Sequence, residues 1–403
     1  MNPAESLQNV EINQNDKFFT ALFGNSTGSV INASPASLIL LGDHTHYNDG
    51  ILISACIDKY WIFQIKKRKD GQINLASPEL NDVIRLKLEK LEPEEEGTFK
   101  LLRGLLLILK EEGFLRTGFD CAFSSNVPEC LGLGSMAAQQ VGFLNALRKA
   151  LLLKFDDEKL LSMVSRNESL MLGKISNIAH HYTVLYGKEN KLFFMDLRTK
   201  AYTKFSVDCN ECSLAICDSG ERIVEPHRIC AERIEECEIG TKGLRLYLWG
   251  IKNLRDIELE FLHKHFHMLP GRIFQRVLYN VKERIRTQEG IKLIRKKIFE
   301  DFGRLVLDSH MNLSNDYEIG NEHSSFLVEE AQKIEGVHGS KLISCSPFRS
   351  TFNILRSDAL EMFKTKMNSE FKKRFGRDLN IYSVRLTGGI KNFSQKTKVG
   401  DNS

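Results

Sequence analysis

The residues of this chain with the clearest potential for chemistry form a short glycine-containing loop, GLGS, at residues 132–135. The two glycines allow the backbone to approach a bound group closely, and a helical pattern that begins at Ala137 places the loop at a helix N-terminus. Backbone N–H groups and the helix dipole favour phosphate at such a position. A G-x-G pair alone is equally typical of a tight turn, so both interpretations are open at this point.

A second chemical pattern is a cluster of cysteines: Cys209, Cys212, Cys217, Cys230 and Cys237. Cys209-x-x-Cys212 has the spacing of zinc ligands, but no second C-x-x-C or H-x-x-H pair follows it. The pattern therefore favours structural or free thiols over a metal site. The odd total of 9 cysteines, and an N-terminus without the features of a secretory signal, predict a reducing, cytoplasmic setting.

The composition is that of an ordinary globular protein. The 403 residues are 42% hydrophobic and 27% charged, which allows two or three domains and excludes wholesale disorder. The net charge of +4 is too small to predict nucleic-acid or membrane binding. The most apolar run, residues 101–109, contains Arg103 and is shorter than the ~20 residues of a membrane span, so we expect a buried helix there.

The elements that must position these residues follow from hydrophobic periodicity. Strands are predicted at residues 37–41, 51–55, 60–65, 192–196, 213–217, 342–355 and 380–386. Helices are predicted at residues 137–153, 256–266, 273–308 and 359–374. The polar residues 391–403 predict a frayed tail.

Several segments of the chain carry a family resemblance. Residues 34–50, SPASLILLGDHTHYNDG, are similar to S-P-G-R-x-N-L-I-G-E-H-T-D-Y-N-G-G, the signature of the galactokinase family of the GHMP kinases. Residues 127–138, VPECLGLGSMAA, resemble the GHMP phosphate loop P-x-x-x-G-L-[GS]-S-S-A. FGRL, SH and DYE within residues 302–318, and GVHGSKL at residues 336–342, follow in the family's order. The correspondence runs from about residue 17 to 388 and indicates common lineage.

This resemblance implies an α+β GHMP kinase fold. It implies an N-terminal α/β domain like ribosomal protein S5 at residues 1–195, a ferredoxin-like C-terminal domain at residues 196–403, and an active site between them. In galactokinases, ATP phosphorylates the anomeric hydroxyl of the sugar, a loop serine helps to hold Mg²⁺, an aspartate acts as base or orienter, and an arginine stabilises charge. ATP, Mg²⁺ and a sugar are therefore the groups that the resemblance implies.

Ser37 and His180 occupy the family's two catalytic positions. Ser37 stands in place of the arginine and has no positive charge. Residues 177–187, NIAHHYTVLYG, match the family string G-I-M-D-Q-F-I-S-A-L-G, which places His180 on the aspartate and His181 on the glutamine. Neutral histidine accepts a proton near pH 7, so His180 is either a substitute base or a polar residue of a cleft that has lost its chemistry.

The nucleotide side of the family site is half preserved. Gly132, Gly134 and Ser135 match the phosphate loop, whereas Met136 replaces the metal-binding serine, and a thioether is a poor ligand for Mg²⁺. In the third motif, ISCSPFRS at residues 343–350 replaces T-G-G-G-F-G-G-C, with every glycine lost. Arg349 in that string is either a compensating cation or an ordinary surface arginine, and we expect the second.

On the sugar side, the resemblance assigns four contact positions. Asp43 is a shorter form of the family's glutamate, and His44 is retained. These two are either ligand contacts or turn residues, and we favour the first. His46 replaces a sugar-binding aspartate, and Cys230 replaces the tyrosine of S-E-Y-x-x-R-R-x-Q-C-E. The replacements make galactose itself uncertain as the ligand.

Three functions compete on this evidence. The first, which the changed catalytic residues favour, is a sugar- or ATP-binding pseudokinase with a regulatory role and a possible protein partner. The second is an active sugar 1-kinase that uses substitute residues such as His180. The third is a protein-interaction module on a kinase scaffold. Measurement of nucleotide binding and of phosphate transfer to hexoses separates them.

Overall fold

The computed structural model describes residues 3–79, 82–93, 97, 99–173, 176–207, 212–344 and 348–394. The helices are α1 (Pro3–Phe23), α2 (Lys100–Glu111), α3 (Ser135–Ala150), α4 (Asp157–Leu172), α5 (Ile178–Tyr186), α6 (Pro226–Arg245), α7 (Leu259–Lys264), α8 (Gly271–Lys296), α9 (Phe299–Asn315), α10 (Glu322–Gln332) and α11 (Leu360–Phe375). The strands are β1 (Val30–Leu41), β2 (Ile51–Lys67), β3 (Gln72–Ser77), β4 (Asp82–Lys87), β5 (Phe119–Ser125), β6 (Lys191–Asp196), β7 (Tyr202–Ser206), β8 (Cys212–Arg222), β9 (Val337–Leu342), β10 (Phe348–Arg356), β11 (Asn380–Val384), β12 (Leu386–Thr387) and β13 (Lys391–Ser394).

The larger sheet is built around two long antiparallel strands, β1 and β2. Its main order is β13-β1-β2-β5-β3-β4, with β12 and β6 also paired to β2, and β7 paired to β6. Both central strands are buried along most of their length, which explains their nearly continuous apolar sequence. Pro35 lies in β1 at a β-bulge, where the strand register shifts and a missing backbone donor is tolerated.

The smaller sheet is antiparallel, in the order β11-β8-β10-β9. Its outer face packs on α10 and α11 around Phe363, Met367 and Phe371. Its other face contributes Phe352 and Ile354 to a core that also contains side chains of β1, β2, α8 and α9. One apolar core therefore joins the two sheets, and the phosphate-loop segment contributes Leu131 and Leu133 to it.

The α+β architecture agrees with the sequence prediction, and most predicted elements are present within a few residues. The helix predicted at residues 101–109 is α2, whose apolar side chains are buried. Among the described helices, none is both long and apolar enough to cross a membrane. A domain boundary at residue 195 stays a prediction, because β7, β12 and β13 lie beyond it and still belong to the larger sheet.

Four sequence predictions differ from the structure. The predicted helix 273–308 is two helices, α8 and α9, separated at Lys297, whose φ of 58° is left-handed. The predicted helix 256–266 is reduced to the short α7. The predicted strand 342–355 is interrupted between β9 and β10. Residues 391–394 form β13 against β1 rather than fraying, and α1 was not predicted at all.

Candidate active site

The phosphate-loop segment reaches α3 through two glycines in left-handed conformation. Gly132 has φ of 75° and Gly134 has φ of 61°, a region that favours glycine. Gly134 is the N-cap residue of α3, and no side-chain cap hydrogen bond is present. A Cβ on Gly134 would lie 2.3 Å from Ser37 Oγ and 2.7 Å from His180 Nδ1. Glycine is therefore required both by the backbone and by the two side chains beneath it.

Ser37 and His180, which are distant in sequence, meet directly beneath this loop. The Ser37 hydroxyl lies 2.8 Å from His180 Nδ1, and the Ser37 backbone N–H donates to Leu133 O at 2.9 Å. Ser37 is fully buried in β1, whereas His180 is half-buried. The structure thus joins the two residues predicted at the catalytic positions into one hydrogen-bonded pair that touches the phosphate loop.

Helix α5 turns His180 and His181 in different directions. The helix begins after Asn177, whose side chain accepts from the Ala179 N–H at 3.2 Å. His181 is buried, and its Nε2 lies 3.0 Å from Glu168 Oε1, which also accepts from the Gln140 amide at 2.9 Å. His181 therefore contributes to packing among α3, α4 and α5, and only His180 lines the cavity.

The loop between β1 and β2 carries the three predicted sugar contacts Asp43, His44 and His46. His44 has φ of 58°, and its Nδ1 lies 3.0 Å from the Tyr47 hydroxyl. Burial lowers the pKa of His44 to about 3, and the nearby cations Arg233 and Lys341 act in the same direction. Its imidazole is therefore neutral at physiological pH. His46 is half-buried at the same cavity.

Asp43 is held by two residues that sequence analysis did not assign to the site. The Lys341 ammonium donates to Asp43 Oδ2, and the Ser344 hydroxyl donates to Asp43 Oδ1 at 2.6 Å. Lys341 is fully buried at the end of β9 and also lies 3.8 Å from Glu283 Oε1. Glu283 accepts from the Gly42 N–H at 2.8 Å, next to Asp43 in the chain.

These residues surround a small cavity of about 30 Å³. Its lining is Ile39, Asp43, His44, His46, Gly132, Asn177, His180, Ile343 and Ser344. That volume holds only about two or three water molecules, because one water needs roughly 10–15 Å³ of such space. The fold thus brings most of the predicted site residues together, but the space between them is small.

Other predicted residues lie outside this lining. Cys230 is half-buried on α6 and does not line the cavity, and Ser135 Oγ accepts from the Trp61 indole N–H at 3.0 Å. Arg349 is not the exposed surface arginine that we expected. It is half-buried, its Nη1 donates to Ile319 O at 2.5 Å, and burial lowers its pKa.

The sequence contained one signal for the residues that were missed. Lys341 is a charged residue that lies buried near the end of β9, and it stands where the family string G-S-R has arginine. Buried charges are normally paired, so a carboxylate partner was to be expected. No local pattern indicated Ser344 or Glu283.

The described residues contain no cluster of three His, Cys, Asp or Glu side chains placed to hold a metal ion. Cys209, half of the zinc-like pair, lies outside the described residues. Met136 is 42% exposed in the first turn of α3 and offers sulfur where the family has a hydroxyl.

Family models match two segments that supply most of the residues lining the cavity. Residues 17–67 match the galactokinase galactose-binding signature, and residues 100–188 match the GHMP kinases N terminal domain. Similar curated proteins are the galactokinases of Roseiflexus sp. (strain RS-1) and Staphylococcus carnosus (strain TM300). The first is 26% identical over 90% of this chain and 92% of its own length, and the second is 25% identical over 93% and 97%.

Solved structures show the same fold. Lactococcus lactis galactokinase complexed with galactose superimposes with a TM-score of 0.87 at 22% identity, covering 94% of this chain and 99% of that one. A mevalonate kinase has a TM-score of 0.62 at 20% identity, covering 89% and 99%. The two family models, the nearly full-length galactokinase relatives and this GHMP kinase fold confirm that the chain resembles the galactokinase family of the GHMP kinases.

Proposed function

We propose that this chain is a slow ATP-dependent sugar 1-kinase of the galactokinase type that uses His180 as its base. The observation that carries the proposal is the Ser37–His180 hydrogen bond of 2.8 Å beneath the phosphate loop and beside the cavity. This bond fixes the Nδ1 side of the His180 ring, while His180 itself lines the cavity. The nearly full-length similarity to galactokinases supports an enzyme over a pseudokinase.

The proposed step moves one phosphoryl group and one proton. The sugar's anomeric oxygen forms a bond to the γ-phosphorus of ATP as the bond between that phosphorus and the β,γ-bridging oxygen breaks. The hydroxyl proton passes to Nε2 of His180. This requires the tautomer with the other proton on Nδ1, which then donates to Ser37 Oγ. Ser37 thereby orients the base.

The residues fit the nucleotide better than they fit Mg²⁺. Gly132 and Gly134 leave room for phosphate at the N-terminus of α3, where no side chain caps the backbone N–H groups. In contrast, Met136 is a poor ligand for a hard cation, and Asp43 is already paired with Lys341. We therefore assign no step to a metal. Without the family's arginine, we expect turnover roughly 10²–10³-fold below the ~1–100 s⁻¹ of ordinary kinases.

The experiment is a hexose panel assayed for sugar 1-phosphate by ³¹P NMR and for ADP release. Galactose belongs in the panel because the Lactococcus lactis relative binds it. His180→Asn should lower kcat about 10²–10⁴-fold, whereas His263→Asn, in an exposed histidine of α7, should not. Equal turnover in both variants would remove His180 as the base, and no sugar phosphate with any hexose would remove the kinase.

A second candidate is a ligand-binding protein without turnover, and the Met136 substitution favours it. If the first candidate is right and the missing hydroxyl limits its rate, Met136→Ser should raise turnover in the presence of Mg²⁺ about tenfold, since it returns an oxygen ligand to the first turn of α3. Met311→Ser, in an exposed methionine of α9, is the matched control. Nucleotide or hexose binding by calorimetry with no turnover in either protein would support the binding function instead.

A further inference from the structure

The Asp43 carboxylate faces the cavity with both of its oxygens already accepting hydrogen bonds from this chain. Lys341 donates to Oδ2, and Ser344 donates to Oδ1 at 2.6 Å. Asp43 and Ser344 both line the cavity, and both are largely buried. Any hydroxyl of a ligand that approaches Asp43 therefore meets a carboxylate that is engaged on both sides.

The two donors are not equally easy to replace. Lys341 is a fully buried cation with Asp43 on one side and Glu283 at 3.8 Å on the other, so its removal would leave charge uncompensated. Ser344 is a neutral hydroxyl beyond the end of β9. A sugar hydroxyl has the same hydrogen-bonding chemistry, so it can take over the bond to Asp43 at little cost in hydrogen bonding.

Ser344 also takes up space. It and Ile343 line a cavity of about 30 Å³, whereas pockets for small molecules usually measure about 300–1,000 Å³. In the family's third motif, the position of Ser344 is the first glycine, which has no side chain there. A hexose that approaches Asp43 through this cavity therefore meets the Ser344 side chain in its path.

We propose that Ser344 is a specificity-determining residue that competes with the sugar for Asp43 and so lowers the affinity of the site for hexoses. The proposal rests on the proposed sugar site. In most molecules the Ser344 hydroxyl is hydrogen-bonded to Asp43, and only the remaining fraction is competent to bind a hexose. The apparent Kd equals the intrinsic Kd divided by that competent fraction, so the apparent affinity is low. The site then selects sugars with a hydroxyl placed so that it can replace the hydrogen bond from Ser344 to Asp43.

The test is titration calorimetry of D-galactose and D-glucose into the full chain, without ATP. Ser344→Gly and Ser344→Ala should each lower the Kd of at least one of these hexoses about tenfold or more, because each removes a competing hydrogen bond to a charged group. Ser344→Thr keeps the hydroxyl and adds a methyl group to the cavity, so it should raise the Kd. Ser219→Ala is the matched control, since Ser219 is a buried serine that donates to Arg349 O and does not line the cavity.

The outcomes separate this proposal from the proposed kinase function. Unchanged or weaker hexose binding in the Gly and Ala variants, with unfolding midpoints close to wild type, overturns it even if the wild type turns over. Tighter binding in these variants supports it even if no variant forms sugar phosphate. If the Gly and Ala variants do not fold, the Thr variant decides, because a Kd equal to that of wild type contradicts the competition.

Discussion

At the residue scale, the chemistry of the site depends on how His180 is held. The Ser37 hydroxyl fixes the Nδ1 side of the ring at 2.8 Å, and the absent side chain of Gly134 leaves the space for both groups. A serine cannot replace the electrostatic contribution of an arginine, but it can orient an imidazole. The proposed role of His180 as the base is therefore compatible with both substitutions, because a serine at position 37 can orient a histidine at position 180.

Two buried histidines predict how stability depends on pH. Burial lowers the pKa of His44 to about 3 and that of His310 to about 4, in both cases with help from Lys341. Below about pH 6.5, the unfolded chain binds protons on these residues that the folded chain does not bind. The free energy of unfolding should therefore fall as pH falls from 6.5 toward 4, with each histidine contributing about 1.4 kcal/mol per pH unit.

Urea unfolding at several pH values checks this prediction. His44→Asn and His310→Asn should each reduce the slope by about one proton, and the double variant by about two. His310 offers an independent marker, because its Nδ1 accepts from the Leu342 N–H at 3.3 Å and so must stay unprotonated in the folded chain. A slope that is the same in all four proteins would contradict the assignment.

At the element scale, the position of β9 depends on two facing glycines. A Cβ on Gly303 of α9 would lie 2.3 Å from His338 O, and one on Gly339 of β9 would lie 2.5 Å from Gly303 O. The helix therefore packs with its backbone almost against the strand. This contact sets the depth of β9, which carries Lys341 at its end. It also explains why FGRL and GVHGS persist in a chain whose catalytic strings have changed.

Gly303→Ala should lower the free energy of unfolding by about 1–3 kcal/mol, because the new methyl group meets backbone that cannot move aside without shifting β9. The matched control is Gly271→Ala in α8, where nothing lies within 4 Å of the new Cβ. The control should be neutral or slightly stabilising, since alanine favours helix. Chemical denaturation measures both, and equal effects of the two substitutions would show that the close packing is unimportant.

At the scale of the whole molecule, the two sheets are joined by one apolar core and by a buried charge network across it. Lys341 of β9 reaches Asp43 after β1, and Glu283 of α8 accepts from the Gly42 N–H and from the Ser309 hydroxyl. Arg286 donates to the same carboxylate. The network links β9 of the smaller sheet, the helices α8 and α9, and the loop between β1 and β2. The geometry of the cavity therefore depends on both halves of the chain.

Lys341→Met should destabilise the protein by about 3–5 kcal/mol, because it leaves the buried Asp43 carboxylate without its cation. Lys341→Arg should cost less, since it keeps the charge, and arginine is the residue in the family's string. Lys333→Met removes an exposed lysine paired with Glu330 and should leave the free energy of unfolding nearly unchanged. Guanidinium unfolding measures all three variants. A loss of stability in Lys341→Met that is no larger than the loss in Lys333→Met would refute the network.

Sequence alone predicted the features of this protein that depend on residues close together in the chain. The strands β1 and β2, the helix α3 and the glycines at its N-terminus follow from local periodicity and from backbone conformation, and the motif strings indicate the family. The loss of the arginine at Ser37 and of the metal-binding hydroxyl at Met136 was also visible in the sequence, because residue type alone decides those chemical capacities.

Tertiary structure alone decided which side chains meet. Ser37 and His180 are 143 positions apart, and Asp43 and Lys341 are 298 positions apart, so no local pattern predicts either contact. The adjacent residues His180 and His181 diverge because consecutive side chains on a helix point in different directions, and the packing of α3, α4 and α5 selects which one faces the cavity. The volume of about 30 Å³ beside Ser344 is likewise visible only in the tertiary structure, since free volume is a property of the packed chain and not of any segment within it.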